Sequence, residues 1–277
     1  RETGGALRTI HVLDSLGIRH TGMFPDSAER SRNYPLQITS GNMHFSILNY
    51  TYDTNGLPWK KPFIINIIDS ALILRDIATA KTTNPDVIIA FMHWGTEYER
   101  QPNREQKLLA ELMRREGVHL VIGAHPHVIQ PMEKHVATDG RCRQLTAWSL
   151  GNLVSNQPFE NSDGGALLKV ALKKDSAGVW VSWAGYSLVW VYKPVERGLP
   201  RHYILPVTQF EADTARLLPQ YRRQIRTFAK NSRQLLNTYN KGISEYRFFQ
   251  NIPVKRIEPI PPVPLVSTVN KKQLKQK

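Results

Sequence analysis

The fold is decided by residues 86–130. They begin Asp86-Val-Ile-Ile-Ala-Phe-Met-His93-Trp-Gly-Thr-Glu97 and end Val118-His-Leu-Val-Ile-Gly123-Ala-His125-Pro-His127-Val-Ile-Gln130. Residues 87–92 and 118–122 are apolar runs short enough to be buried strands. Between them, apolar residues recur at helical spacing until Gly117 ends the helix; they are Leu108, Leu109, Leu112 and Met113. Two parallel strands joined by a crossover helix form a βαβ unit, so the sequence predicts an α/β fold.

Histidines follow both of these strands. His93 comes after the first, and His125 and His127 come after the second. Because parallel strands end at the same edge of a sheet, we expect the three imidazoles to converge there and bind a divalent metal. In an extended turn, His125 and His127 would point apart, which suits two adjacent metals better than one. Pro126 between them would stiffen the turn.

Four further polar residues are candidates for this edge. Glu97 could orient a ligand or carry a proton, and it could equally be an exposed loop acid. Asn152, Asn156 and Gln157 follow a predicted strand that begins near residue 146. They could hydrogen-bond a substrate, or they could be ordinary turn residues.

Composition excludes several other classes of protein. The chain has 277 residues, of which 41% are hydrophobic, enough for one large domain or a domain with an appendage. No apolar run approaches the roughly 20 residues of a membrane-spanning helix. Cys142 is the single cysteine, so an internal disulfide and a thiolate metal cage are excluded.

Positive charge is concentrated at the C-terminal end. The formal net charge is +14, and residues 201–277 hold 15 of the 37 Lys and Arg but 4 of the 23 Asp and Glu. The period changes to 3.6 over residues 213–239, which predicts a basic amphipathic helix. Such a helix can bind an anionic polymer or a membrane surface, or it can pack on the domain with its basic face in water. Nucleic acid is an unlikely partner because no reader motif accompanies the charge.

The remaining elements are predicted from local patterns. We expect helices at 6–16 and 70–81, a hairpin of strands 34–39 and 44–50, and a strand at 63–68. Residues 18–21 look like a short strand, 25–32 like a polar connection, and 51–62 like a long loop of the kind that is often functional. Strands are also expected at 164–172, 178–192 and 202–208. Residues 251–277 are Pro-rich and basic, and we expect 270–277 to be disordered.

Several blocks of residues together resemble a known family. They are His93-Trp-Gly-Thr-Glu97-Tyr98, Val121-Ile-Gly-Ala-His125-Pro-His127-Val-Ile-Gln-Pro131 and Trp148-Ser-Leu-Gly-Asn152-Leu-Val-Ser-Asn156-Gln157. In these blocks, residues 1–172 closely resemble the CapA capsule-synthesis family. That family includes poly-γ-glutamate capsule biosynthesis proteins and is related to calcineurin-like metallophosphoesterases.

The resemblance implies a four-layer α/β/β/α sandwich that holds two divalent metal ions, Mn, Fe or Zn, in the full-length protein. It maps His93, His125 and His127 to ligand positions, with His93 and Glu97 as the candidate catalytic residues. It further implies a place in the cell envelope, with an anionic capsule polymer or its precursor and other capsule-synthesis proteins as partners. We expect a CapA-like domain at 1–208, a basic helical region at 209–250 and a tail at 251–277.

The family pattern also has earlier blocks that have no counterpart here. They are a strand that ends in Gly-Asp, an Asn-x-Glu segment and an Asn-Asn-His segment. We therefore expect an N-terminally truncated member whose domain lacks its first strands. Its metal centre would then consist of the histidine half, without the carboxylates that bridge the two metals.

Two functions follow from these observations. The first is a metal-dependent hydrolase-type site that acts on a phosphoester or an amide-like carbonyl during synthesis of a capsule polymer. The second is a non-catalytic envelope component that binds an anionic polymer through its basic C-terminal region. The residues themselves do not reveal the reaction.

Overall fold

The computed structural model describes residues 2–212 and 217–247. Within them the helices are α1 (Glu2–Ser15), α2 (Ser27–Asn33), α3 (Ser70–Thr82), α4 (Arg104–Arg115), α5 (Val207–Phe210) and α6 (Pro219–Tyr239). The strands are β1 (Met23–Phe24), β2 (Leu36–Ser40), β3 (Met43–Thr51), β4 (Ile64–Ile65), β5 (Val87–His93), β6 (Leu120–Ala124), β7 (Met132–Val136), β8 (Cys142–Ala147), β9 (Gly164–Asp175), β10 (Gly178–Tyr192), β11 (Val195–Glu196), β12 (Leu199–Pro200), β13 (Tyr203–Pro206) and β14 (Ser244–Glu245).

The main sheet has six strands in the order β2-β3-β5-β6-β8-β7. Its four central strands are parallel, and β2 and β7 add to the two edges in the antiparallel sense. Strands β5 and β6 are neighbours joined through α4, which confirms the predicted βαβ unit. The hairpin of β2 and β3 and the helix α3 are also confirmed. Asp69 caps α3, and its side chain accepts a hydrogen bond from Leu72 N at 2.7 Å.

A second sheet is built on the long antiparallel hairpin of β9 and β10. Strand β13 pairs with β10 in the antiparallel sense, and β14 pairs with it in parallel. Strand β10 is buried continuously from Ala184 to Val191 because both of its faces are covered. An uninterrupted apolar strand is typical of a sheet inside a layered core.

Two hydrophobic cores hold these layers together. On one face of the main sheet, Met92 and Val121 pack with Ile77 of α3 and Met113 of α4. The opposite face packs on the second sheet through a larger cluster, which also contains the apolar residues of α5 and α6. The α/β class predicted from the sequence is confirmed, with two packed sheets and helices at both cores.

Helix α6 contributes to the core of the protein. Ile225, Phe228, Leu235 and Leu236 are buried in the cluster around the second sheet. Because this apolar face is occupied, the packed arrangement is favoured over one in which the helix inserts into a membrane surface. The predicted start of the helix, at 213–216, and the predicted tail at 251–277 lie outside the described residues.

Two local predictions were wrong, and one strand was missed. Residues 18–21 form no strand, and the short strand β1 follows them instead. Residues 25–32 contain α2, which Asp26 caps by accepting a hydrogen bond from Glu29 N at 2.7 Å. No residue of α2 is fully buried, so it leaves no apolar period in the sequence. The edge strand β7 also escaped prediction, because Glu133, Lys134 and His135 interrupt the apolar pattern.

Gly123 allows three segments to approach each other closely. A Cβ at this position would lie 1.9 Å from the carbonyl oxygen of Trp148 and 2.5 Å from Trp94 Nε1. Trp94 Nε1 donates a hydrogen bond to that carbonyl at 3.0 Å. The close packing therefore excludes every side chain larger than a hydrogen atom.

We predict that Gly123→Ala lowers the free energy of unfolding by about 3 kcal/mol or more, because backbone atoms must move to admit the methyl group. The measurement is urea denaturation followed by tryptophan fluorescence. Gly5→Ala is the matched control, since a Cβ there meets nothing within 4 Å and lies on an exposed helix. Equal stability of the two variants would contradict this account of Gly123.

Candidate metal centre

The carboxyl ends of β3, β5 and β6 bring the first two histidines together. In the sheet register, His93 pairs with Thr51 on one side and with Ala124 on the other. His125 follows Ala124 directly, so its ring lies beside that of His93. The ring centroids are 4.6 Å apart. The convergence predicted for these two histidines is therefore a result of the parallel register.

The His125-Pro126-His127 turn differs from the extended turn that we expected. His125 has φ 102° and His127 has φ 60°, both in the left-handed region that residues with a side chain rarely adopt. This backbone brings ring nitrogens of both histidines and a Glu97 carboxylate oxygen within 4.8 Å of one another. The expectation that the two rings point apart was wrong, and they converge on one point.

Glu97 reaches this point because its loop is tied to the histidine turn. Trp94 N donates to Ala124 O at 3.0 Å, and Tyr98 N donates to Pro126 O at 2.8 Å. These bonds extend the pairing of β5 and β6 beyond the strands. As a result, Glu97 Oε1 lies 3.8 Å from His127 Nε2. The Glu97 side chain remains half-exposed.

Hydrogen bonds fix which nitrogen of His127 carries the proton. Asn152 Nδ2 donates to Ser162 O at 2.8 Å, so its Oδ1 must be the atom that faces His127 Nδ1 at 3.0 Å. An amide oxygen only accepts, and Nδ1 therefore carries the hydrogen. In neutral His127, Nε2 is left with a lone pair that faces the Glu97 carboxylate. A proton, a water molecule or a metal ion between these two acceptors makes the contact favourable.

The same argument applies to His93. The Thr51 hydroxyl donates to Asp53 O at 2.9 Å and thus has no second hydrogen to offer. It must accept from His93 Nδ1, which lies 2.9 Å away. Nε2 of neutral His93 therefore also has a free lone pair. Partners of this kind commonly orient the imidazole ligands of metal sites.

The pKa values of His125 and His93 are both lowered. Desolvation and the neighbouring His93 lower the pKa of His125 to about 4. Desolvation, followed by the effect of His127, lowers the pKa of His93 from its ordinary value. The Tyr52 ring covers His125 at a centroid distance of 4.2 Å and helps to exclude water. Both imidazoles can therefore offer lone pairs at neutral pH.

The donor set fits a divalent cation. Two imidazole nitrogens and one carboxylate oxygen are the ligand types that Zn, Mn and Fe accept in proteins. Glu97, His125 and His127 form the convergent group, and His93 lies next to His125. The structure brings the three predicted histidines to one edge of the main sheet. The sequence suggested that Glu97 is a proton carrier or an orienting group, whereas the position of Glu97 equally suits a metal ligand.

The three candidate substrate-binding residues are placed differently from one another. Asn152 forms a hydrogen bond with His127 and thereby orients the histidine ring. Gln157 accepts a hydrogen bond from the Tyr98 hydroxyl at 3.1 Å, and the Tyr98 ring stacks on His127 at 5.9 Å. Asn156 is exposed and forms no hydrogen bond with the residues that the structure describes. None of the three is excluded as a substrate contact.

Three residues of the centre were missed by sequence reasoning. Thr51 and Tyr52 lie where β3 runs into the predicted long loop, and Tyr98 follows Glu97. Only the length of the loop signalled a functional role for the first two. Their contacts with the histidines depend on strand register, which a single sequence does not disclose.

Comparison with known proteins places this centre in a family. The profile described as "Bacterial capsule synthesis protein PGA_cap" matches residues 1–157, more than half of the chain. The chain belongs to this family. All the residues of the centre discussed above except Ser162 fall within the matched PGA_cap region.

Two relatives match a shorter stretch of this PGA_cap family member. The PGA biosynthesis protein CapA of Bacillus subtilis (strain 168) is 34% identical over 110 residues, which are 40% of this chain and 27% of the relative. The capsule biosynthesis protein CapA of Bacillus anthracis is 29% identical over 111 residues, 39% of this chain and 26% of the relative. The match thus spans about a quarter of the length of each relative.

Two solved structures are also similar to this PGA_cap family member. The NAD nucleotidase NadN of Haemophilus influenzae has a TM-score of 0.40 and 11% identity, covering 83% of this chain and 42% of that one. A putative 5'-nucleotidase from Staphylococcus aureus has a TM-score of 0.37 and 10% identity, covering 77% and 36%. Below a TM-score of 0.5, these likenesses support no conclusion about this protein.

We predict that the purified chain binds at least one Zn²⁺ or Mn²⁺ ion, and that His127→Ala and Glu97→Gln each weaken binding by more than about 100-fold. Loss of a direct ligand should exceed the ~10- to 100-fold effect typical of an outer partner. Isothermal titration calorimetry measures the affinity. His202→Ala, which removes an exposed histidine far along the chain, is the control. Less than one tightly bound metal ion per wild-type chain would rule out the centre.

Asn152→Leu should weaken metal binding by about 10- to 100-fold, because His127 loses the partner that fixes its proton on Nδ1. Asn156→Leu is a closely matched control in the same loop and should leave the affinity within two-fold of wild type. Thermal melting of the metal-free variants checks that both are folded. An equal effect of the two substitutions would show that Asn152 has no special part in orienting His127.

Proposed function

We propose that this protein takes part in the synthesis of a bacterial capsule polymer of the poly-γ-glutamate type through a metal-dependent hydrolase-type site. Its family membership supports the process, and the convergence of Glu97, His125 and His127 supports the site. The proposal places the protein in the cell envelope, with the polymer or its precursor and other capsule-synthesis proteins as partners. None of the described helices combines the length and apolar character needed to cross a bilayer.

The observation that carries the proposal is the contact between Glu97 and His127. A carboxylate oxygen and an imidazole lone pair face each other at 3.8 Å, and the Asn152 hydrogen bond holds the imidazole in that orientation. A cation between the two groups would stabilise this contact. Glu97, His125 and His127 would hold that cation.

A bound divalent cation supplies Lewis-acid activation of a phosphoryl or carbonyl oxygen. The chain itself supplies the surroundings. Tyr52 shields His125 from water, and Tyr98 covers His127 and links it to Gln157. His93 holds its Nε2 lone pair beside His125, where it can bind a further cation or accept a proton from a reacting group. We propose this role for His93 and a ligand role for Glu97.

An alternative function is supported by the surface of α6. Arg222, Arg223 and Lys230 form no ion pair with the residues that the structure describes. An anionic polymer could bind to such cations without any chemistry taking place. Arg233 is not available for this purpose, because it pairs with Glu211 at 2.6 Å and with Glu245 at 2.7 Å.

The test of catalysis is incubation of the chain with poly-γ-glutamate and, separately, with p-nitrophenyl phosphate. We expect turnover of at least one of these two substrates. The turnover should require Mn²⁺, Fe²⁺ or Zn²⁺ and should stop when EDTA is added. His127→Ala should lower the rate by at least about 100-fold, since it removes a ligand, while His202→Ala should not. Polymer length is followed by size-exclusion chromatography and phosphoester hydrolysis by absorbance.

Two outcomes would count against this function. Turnover that persists in EDTA would show that the metal centre is not responsible. Absence of turnover by metal-loaded protein would favour the binding alternative. In that case Arg222→Glu with Lys230→Glu should abolish polymer binding at low salt. Deletion from residue 213 onward is unsuitable, because it would remove the buried face of α6.

A further inference from the structure

A cavity of about 600 Å³ lies beside the candidate metal centre. Its walls are the loop of residues 157–163, the end of β10 and the first half of α6. A volume of this size is within the range of sites that bind small molecules or single units of a polymer. Neither the family match nor the predicted ligand set accounts for this cavity.

Tyr98 connects the cavity to the metal centre. Its ring stacks on His127 at 5.9 Å and contacts Phe159 at a centroid distance of 4.5 Å. Its hydroxyl donates to Gln157 Oε1 at 3.1 Å. Gln157 and Phe159 both line the cavity. One side chain therefore separates the two sites, so a single extended ligand could reach both.

Two cationic side chains line the cavity. Arg223 is exposed and forms no hydrogen bond or ion pair with the described residues. Lys193 Nζ donates to Gln157 O at 3.3 Å and can make further hydrogen bonds. These two cations can bind the oxygens of a carboxylate or a phosphate.

The acidic residues of the cavity are already engaged. Glu160 Oε1 accepts a hydrogen bond from Asn231 Nδ2 at 2.8 Å. Asp163 Oδ2 accepts one from Trp190 Nε1 at 2.7 Å. Burial raises the pKa of Asp163. The formal charges of the four ionisable groups cancel, and Arg223 and Lys193 are the two that can still donate hydrogen bonds to an anion.

An apolar wall completes the cavity. The partly exposed Tyr221 lines the cavity beside Trp190 and Phe228, which are each 2% exposed. The rings of Trp190 and Tyr221 lie 6.4 Å apart. Such a wall suits the aliphatic stem of a ligand whose charged end reaches Arg223 and Lys193.

We infer that this cavity binds a unit of the substrate that carries an oxyanion group on a short aliphatic stem. The carboxylate or phosphate contacts Arg223 and Lys193, and the stem packs on Trp190 and Tyr221. This inference rests on the proposed function, because it takes the ligand to be the one that extends to the metal centre. The cavity then fixes which bond of an anionic chain lies against Glu97 and His127.

The test is calorimetric titration of the whole chain with three probes: tri-glutamate, inorganic phosphate and neutral tri-glutamine. We expect at least one anionic probe to bind, and tri-glutamine not to bind. Arg223→Gln and Lys193→Gln should each weaken that binding by about ten-fold, the effect of losing one charge-assisted hydrogen bond. Arg201→Gln, which changes an exposed arginine outside the cavity, should stay within two-fold of wild type.

The outcomes separate the sources of the oxyanion. Arg223-dependent binding of tri-glutamate identifies a carboxylate ligand, and Arg223-dependent binding of phosphate alone identifies a phosphate ligand. Equal weakening by Arg201→Gln and Arg223→Gln would show non-specific attraction and overturn the inference. Absence of binding by both anionic probes would also overturn it. Thermal melting confirms that each variant is folded.

Titrations in EDTA distinguish this inference from the proposed function. The cations and the apolar wall of the cavity belong to the chain, so anion binding should persist within about three-fold when metal is removed. A failure of the metal centre would then appear as missing metal binding with anion binding intact. A failure of the cavity would appear as intact metal binding without a response to the anionic probes.

Discussion

The pairing of β5 with β6 is the constraint on which the rest of the structure depends. This register sets His93 opposite Ala124, and the backbone bonds Trp94 N to Ala124 O and Tyr98 N to Pro126 O continue it beyond the strands. Gly123 admits the Trp148 carbonyl into the same space, which brings the segment before Asn152 alongside. The segments after β5, β6 and β8 that contribute to the candidate centre are thus positioned around one parallel ladder.

Strong periodicity explains which parts of the fold could be predicted. Most residues of strands β5 and β6 are buried or half-buried, so their apolar runs are continuous, and the apolar side of α4 lies between them in the sequence. Helix α2 has no fully buried residue, and β7 is an edge strand with polar residues in the middle. Elements that bury few apolar residues produce little hydrophobic periodicity in a sequence. The missed elements are of this peripheral kind.

The candidate centre was predictable to the level of residues but not to the level of orientation. Placing histidines after successive parallel strands was sufficient to bring them to one edge. The convergence of His125 and His127 depends on positive φ angles at residues other than glycine. No sequence pattern predicts such angles. The roles of Thr51 and Asn152 depend on register and on distant carbonyl groups. Local sequence therefore identified the donors, and tertiary structure decided their direction.

The convergent donor set favours a metal ion over a proton as the cation between Glu97 and His127. A proton on His127 Nε2 would satisfy the contact with Glu97 alone. It would leave the ring of His125 without a hydrogen-bond partner among the described residues. His125 itself resists protonation because its pKa is lowered to about 4. A metal ion can contact all three donors at once, since their ligand atoms lie within 4.8 Å of one another. An environment that disfavours protonation of the imidazoles thus favours metal binding, because the proton and the metal ion compete for the same lone pairs.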